Sequence, residues 1–160
     1  MTLAPEITAE RIAALARRLD RPVVLVGLMG AGKSTVGQRL AALLGKDFAD
    51  SDAAIEEAAQ RSVGEIFEDF GEPSFRDGER RVIARLIDEG HGVIATGGGA
   101  FVNSQTRALI LERAIAVWLD CDIATLVART KRRGTRPLLK KGDPAEILAR
   151  LQAELVPANA

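Results

Sequence analysis

Nine consecutive residues, Gly27-Leu28-Met29-Gly30-Ala31-Gly32-Lys33-Ser34-Thr35, fit the spacing G-x-x-x-x-G-K-[ST]. Each residue type has a task in that pattern. Glycines let backbone N–H groups curl around phosphate oxygens, and a helix beginning just after them turns its free amides and positive dipole end to the same anion. Lys33 is then placed to reach the β- and γ-phosphates and the Ser34 hydroxyl to ligate Mg2+. Packing alone gives no reason for lysine and serine at those two places. The segment therefore points to a nucleoside triphosphate, foremost ATP with Mg2+, and leaves open whether it is hydrolysed, used as a phosphoryl donor or only bound.

Four further groups offer chemistry to an acceptor. Asp50-Ser51-Asp52 holds two carboxylates two residues apart. On extended chain both face one way, Asp50 toward Mg2+ through water and Asp52 toward an acceptor hydroxyl whose proton it takes or orients; a solvated acidic turn or helix N-cap is the plainer reading. Arg76 precedes Glu79 by three, a helical spacing that pairs them and readies the guanidinium to fork onto a carboxylate. Gly97-Gly98-Gly99 follows an apolar run and bares backbone where a ligand could approach. Between Arg129 and Pro137 stand five cations around Gly134. Generic surface charge is one account of them. The other is a lid in which Arg136, stiffened by Pro137, closes over transferring phosphate while Arg129 meets the nucleotide.

Such groups need a scaffold. Apolar residues at helical spacing predict helices over 7–19 (with Thr8 as N-cap), 34–44 (with Val36, Leu40, Leu43 and Leu44 on one side and Gly45 as stop), 53–60, 63–70, 75–89, 103–113, 123–130 and 144–155. Short β-rich runs predict strands over 23–26, 47–50, 92–95 and 115–119. Strands separated by helices of this length imply an α/β fold with a parallel sheet and right-handed crossovers. The ends of its strands are where ligand-binding loops gather.

The 160 residues suit one domain, 1–160, with one core. Lys+Arg and Asp+Glu both number 22, so the net charge is zero and broad binding to nucleic acid or anionic membrane is not expected. One cysteine, Cys121, permits no internal disulfide, and one histidine, His91, leaves no zinc cluster. Both, with Trp118, read as structural. With no apolar run long enough to span a membrane, the expectation is a soluble, cytoplasmic monomer acting on small molecules.

Taken together and in order, the glycine-rich loop, Asp50-Ser51-Asp52, Phe75-Arg76-x-x-Glu79, Gly97-Gly98-Gly99 and Arg136-Pro137-Leu138-Leu139 closely resemble shikimate kinase, over about residues 23–150. The resemblance implies a P-loop kinase sandwich of the nucleoside monophosphate kinase type, sheet order 2-3-1-4-5, and phosphoryl transfer from ATP to the 3-hydroxyl of shikimate on the route to aromatic amino acids. It assigns phosphate binding to Gly30, Ala31, Gly32, Lys33, Ser34 and Thr35, and Mg2+ to Ser34 and Asp50. Catalysis falls to Lys33, Asp52 and Arg136, and nucleotide contacts to Arg129 and Arg136. Shikimate falls to Asp52, Arg76, Gly97, Gly98 and Gly99, with 53–75 as its binding region and 131–141 as the lid. The helix within residues 1–20 is extra to that core. One departure stands at the end: Leu155 and Asn159 flank Pro157 where the family has an Arg-x-Pro-x-Tyr segment whose arginine clamps the shikimate carboxylate. Leucine offers no donor and no charge, so weaker shikimate binding is expected, and without a fifth strand the fourth becomes an exposed edge. A gluconate- or nucleotide-type kinase, or a silent nucleotide-binding form, is the alternative.

Overall fold

The computed structural model describes residues 8–27 and 32–119. Expectations for Gly30, Ala31, Cys121, Arg129, Arg136, Leu155, the lid and the two last helices lie outside these residues. In chain order the elements are α1 (Ala9–Arg18), β1 (Val23–Val26), α2 (Lys33–Leu44), β2 (Phe48–Asp50), α3 (Ser51–Ala59), α4 (Val63–Phe70), α5 (Glu72–Asp88), β3 (Val93–Ala95), α6 (Ser104–Arg113) and β4 (Ile115–Trp118).

The strands form one parallel sheet of order β2-β3-β1-β4. Val23 of β1 pairs with Val93 of β3 on one side and Ile115 of β4 on the other. β1 is buried at every residue, as the unbroken Val-Val-Leu-Val run requires. Its side chains alternate between two cores. Val24 and Val26 join Ile55, Ile83, Ile94 and Ile110 beneath α3 to α6, while Val23 and Leu25 join Ala41, Leu44 and Val93 beneath α2. The extra helix α1, capped by the Thr8 side chain, lays Ile12, Ala16 and Leu19 against this second core. β4 is an edge strand among the described residues, with Ile115 and Val117 exposed.

Three local expectations need correction. α2 buries only part of the side predicted: Leu44 is buried and Leu40 half-buried, but Val36 and Leu43 are exposed, and the buried positions are Lys33, Gly37, Ala41 and Leu44. Small residues win there because the Phe48 ring lies against Gly37; a Cβ on Gly37 would stand 2.5 Å from it. α5 begins at Glu72, three residues ahead of Phe75, with Pro73 in its first turn, where a missing N–H costs nothing. α3 begins at Ser51 and not at Ala53, so Asp52 lies in a helical first turn and not on extended chain. The cause is Asp50, whose carboxylate Oδ1 accepts from Asp52 N at 2.9 Å and Ala53 N at 3.3 Å and so starts the helix.

Candidate active site

Gly27 ends β1 with φ of 141°, a conformation side chains resist, and a Cβ there would sit 2.6 Å from the Leu119 carbonyl. That crowding arises because Leu119 N donates to Val26 O at 2.9 Å, stitching the end of β4 onto the start of the loop. On the loop's far side Gly32, with φ of 89°, caps α2 without any side-chain hydrogen bond, and no acidic residue occupies the first turn. The positive end of α2 is therefore left for an anion. Lys33 is buried, and its Nζ donates to Gly27 O at 2.6 Å, holding the cation across the mouth of the loop.

Ser34 Oγ donates to Asp50 Oδ2 at 2.6 Å. One Asp50 oxygen thus caps α3, the plainer of the two readings, and the other meets the serine. Two oxygens so placed suit Mg2+, a hard cation that keeps several waters and is held by one or two protein oxygens plus the phosphates it accompanies. Among the described residues no group of three or more His, Cys, Asp or Glu side chains forms a closed metal cage.

The acceptor groups assemble next to this cradle, because β2 pairs with β3 and Asp50 lies opposite Ala95. Thr96 follows, buried, its Oγ1 and N–H both donating to Leu25 O at 2.8 and 3.2 Å, so the glycines leave the sheet at a fixed point. A Cβ on Gly97 would meet Asp52 Oδ1 at 2.8 Å and Glu79 Oε2 at 3.2 Å, and one on Gly99 would collide with the Arg76 guanidinium. At both positions the backbone passes close against these side-chain ends. Arg76 Nη1 donates to Glu79 Oε1 at 2.8 Å, the predicted pair, and its guanidinium also lies 5.1 Å from the Phe75 ring centroid. Glu79 is fully buried, with Oε2 unpaired. Burial raises its pKa above the ordinary carboxylate value; Arg76 opposes this, and Asp52 and Glu72 add to it. Asp52, the fixed Arg76 guanidinium and the backbone of Gly97 and Gly99 therefore converge near Ser34 and Asp50.

The shikimate kinase family model matches residues 29–157. The chain belongs to the shikimate kinase family. A shikimate kinase of Novosphingobium aromaticivorans is 56% identical over 155 residues, covering 94% of this chain and 80% of that protein. The solved shikimate kinase of Acinetobacter baumannii in complex with shikimate superposes with a TM-score of 0.83 at 37% identity, covering 94% of this chain and 82% of that one. A gluconokinase of Sinorhizobium meliloti, at 18% identity, 86% and 76% coverage and a TM-score of 0.57, shares the fold. The parallel sheet flanked by helices is that of the α/β P-loop kinases. As a shikimate kinase family member the chain comes from a group that uses ATP and Mg2+ on a small-molecule substrate.

Of the residues to which the resemblance gives tasks, Lys33, Ser34, Asp50, Asp52, Arg76, Gly97 and Gly99 have the neighbours described above, whereas Thr35 is exposed on α2. His91 meets Glu89, its Nε2 and Oε2 3.1 Å apart, away from this site. Sequence reasoning saw Glu79 only as a partner for Arg76 and missed its approach to Asp52 and Gly97. It also missed Thr96 as the anchor of the glycine run; a threonine directly after a buried strand and before three glycines was the available signal.

Proposed function

We propose that this protein transfers the γ-phosphoryl group of ATP to the 3-hydroxyl of shikimate, giving shikimate 3-phosphate and ADP. The reading rests on one observation above all: Asp52, Arg76 and the bare backbone at Gly97 and Gly99 converge one strand away from the Lys33, Ser34 and Asp50 cradle. Identity above half to a shikimate kinase supports it.

Magnesium-bound ATP supplies the activated phosphoryl group and part of the charge neutralisation its transfer needs. The chain's residues do the rest. Gly30 to Thr35 present backbone amides to the phosphates, and Lys33, bonded in the free protein to Gly27 O, exchanges that carbonyl for phosphate oxygen. Ser34 and Asp50 supply oxygens to the cation. Asp52 orients the acceptor hydroxyl and takes its proton as the new P–O bond forms and the bond to the β-phosphate oxygen breaks. Arg76, kept in place by Glu79, forks onto the shikimate carboxylate, and Gly97, Gly98 and Gly99 let the ring lie against backbone. Arg129 and Arg136 are assigned to the nucleotide and to charge developing on the transferring group, with 131–141 as the lid over both. Residues 1–160 act as one domain, a cytoplasmic monomer. No helix among the described residues is long and apolar enough to cross a membrane.

The test is ADP release with ATP and Mg2+, with and without shikimate, beside a Lys33→Ala control. Shikimate-dependent turnover that the control lacks is expected. Turnover on gluconate or a nucleoside monophosphate in its place would overturn the assignment of acceptor, and ATP binding with no transfer to any of them would overturn the assignment as a kinase.

A further inference from the structure

α5 carries a second guanidinium one turn beyond Arg76. Arg76 and Arg80, at i and i+4, share a helix face. Both line a single cavity of about 650 Å3 between α5 and the start of α6, with Gly99 on its rim. That volume is within the range of small-molecule sites. The two arginines are held differently. Arg76 is fixed: its side chain is 11% exposed and paired with buried Glu79. Arg80 is 31% exposed and holds two partners it can release. Its Nη1 donates to the neutral amide oxygen of Gln105 on α6, and its Nη2 meets Asp77 Oδ1 at 2.6 Å. Asp77 has another cation, Arg81, at 3.0 Å. Turning Arg80 toward an anion gives up the exposed Gln105 amide and the contact with Asp77 Oδ1, but Asp77 keeps Arg81 on its Oδ2, so neither group is left buried without a partner.

We propose that Arg80 is a second substrate-binding residue, which exchanges Gln105 for the acceptor's carboxylate beside Arg76 and so selects anionic acceptors over neutral polyols of the same shape. This deepens the shikimate reading and rests on it. Arg76 supplies a preset fork on one side of the carboxylate, and Arg80 supplies the arm that closes from the cavity side.

The experiment compares the wild type with Arg80→Ala, Arg80→Lys and Gln105→Ala, using shikimate and shikimate methyl ester as acceptors, with a thermal melt of each protein. Arg80→Ala should raise KM for shikimate roughly tenfold, with kcat and KM for ATP changed less than about twofold. Arg80→Lys should recover part of the loss. With the neutral ester, wild type and Arg80→Ala should differ by less than about twofold, because the lost partner is gone from the ligand as well. Gln105→Ala, which breaks the bridge between α5 and α6 but keeps the guanidinium, should leave KM for shikimate unchanged or lower. If Gln105→Ala raises KM as much as Arg80→Ala, the bridge is only structural and the proposal is overturned. An unchanged KM in Arg80→Ala, or an equal loss on the ester, overturns it too. Failure of the underlying reading looks different: the wild type itself would not turn over shikimate.

Discussion

Glu79 is asked to do two opposed things. It must be ionised to hold Arg76 strongly, yet it is fully buried and one of its oxygens has no partner. Burial raises its pKa above 4.5 despite Arg76. In the unfolded chain the proton leaves near 4.5, while the folded chain keeps it to higher pH. Between those two values the folded state binds more protons, so the Glu79 contribution to stability falls as pH rises and is constant above the window. Glu79→Gln removes the titration. The stability difference between wild type and variant should therefore decrease with rising pH from about 4.5 upward, which urea unfolding at a series of pH values measures; a difference that stays flat would sink the account. At Asp52 the prediction concerns rate. Asp52→Asn keeps the shape but cannot take a proton, and should lower kcat by on the order of a hundredfold or more with a smaller change in KM for ATP. The Arg76 and Glu79 pair was legible from spacing alone. The approach of Asp52 to Glu79 was not, because it depends on how α3 packs on α5.

Elements were read best where a residue has one local job. Thr8 begins and Gly45 ends its helix as sequence rules require, through a side-chain cap at the first and a left-handed turn at the second. They were read worst where a neighbour decides. The periodicity of α2 favours Val36, Leu40, Leu43 and Leu44 as the buried face, but the Phe48 ring occupies the space beside Gly37, and Gly37 and Ala41 turn inward with Leu44 while Val36 and Leu43 stay exposed. Gly37→Ala tests this: the new Cβ would stand 2.5 Å from the Phe48 ring and 3.1 Å from Leu25. Helix propensity alone would make the change stabilising. Overpacking should reverse the sign and cost about 1–3 kcal/mol in chemical unfolding. A stabilised variant would show that Phe48 moves aside easily.

For the whole molecule, the two half-sites lie on neighbouring strand ends, so each ligand should stabilise the same folded unit. At a shikimate concentration one hundred times its Kd, stability should rise by about 2.7 kcal/mol. Arg76→Gln should abolish most of that rise while retaining the rise given by ATP with Mg2+, and thermal melts with each ligand decide it. Loss of both rises would mean that Arg76 holds the fold and not the acceptor. The sheet order was legible through the resemblance; that β1 divides two cores, and that α1 covers one of them, required coordinates. The order of the strands also sets a schedule for synthesis. β1 leaves the ribosome early, but its neighbours are Val93–Ala95 and Ile115–Trp118. At the usual elongation rate of some 5–20 residues per second, the central strand waits on the order of five to twenty seconds for its second partner. Until then its four apolar residues lack at least one strand neighbour and form an aggregation-prone segment of the nascent chain. A codon or temperature change that lengthens the pause before Ile115 would reduce the yield of soluble protein with no change in the finished molecule.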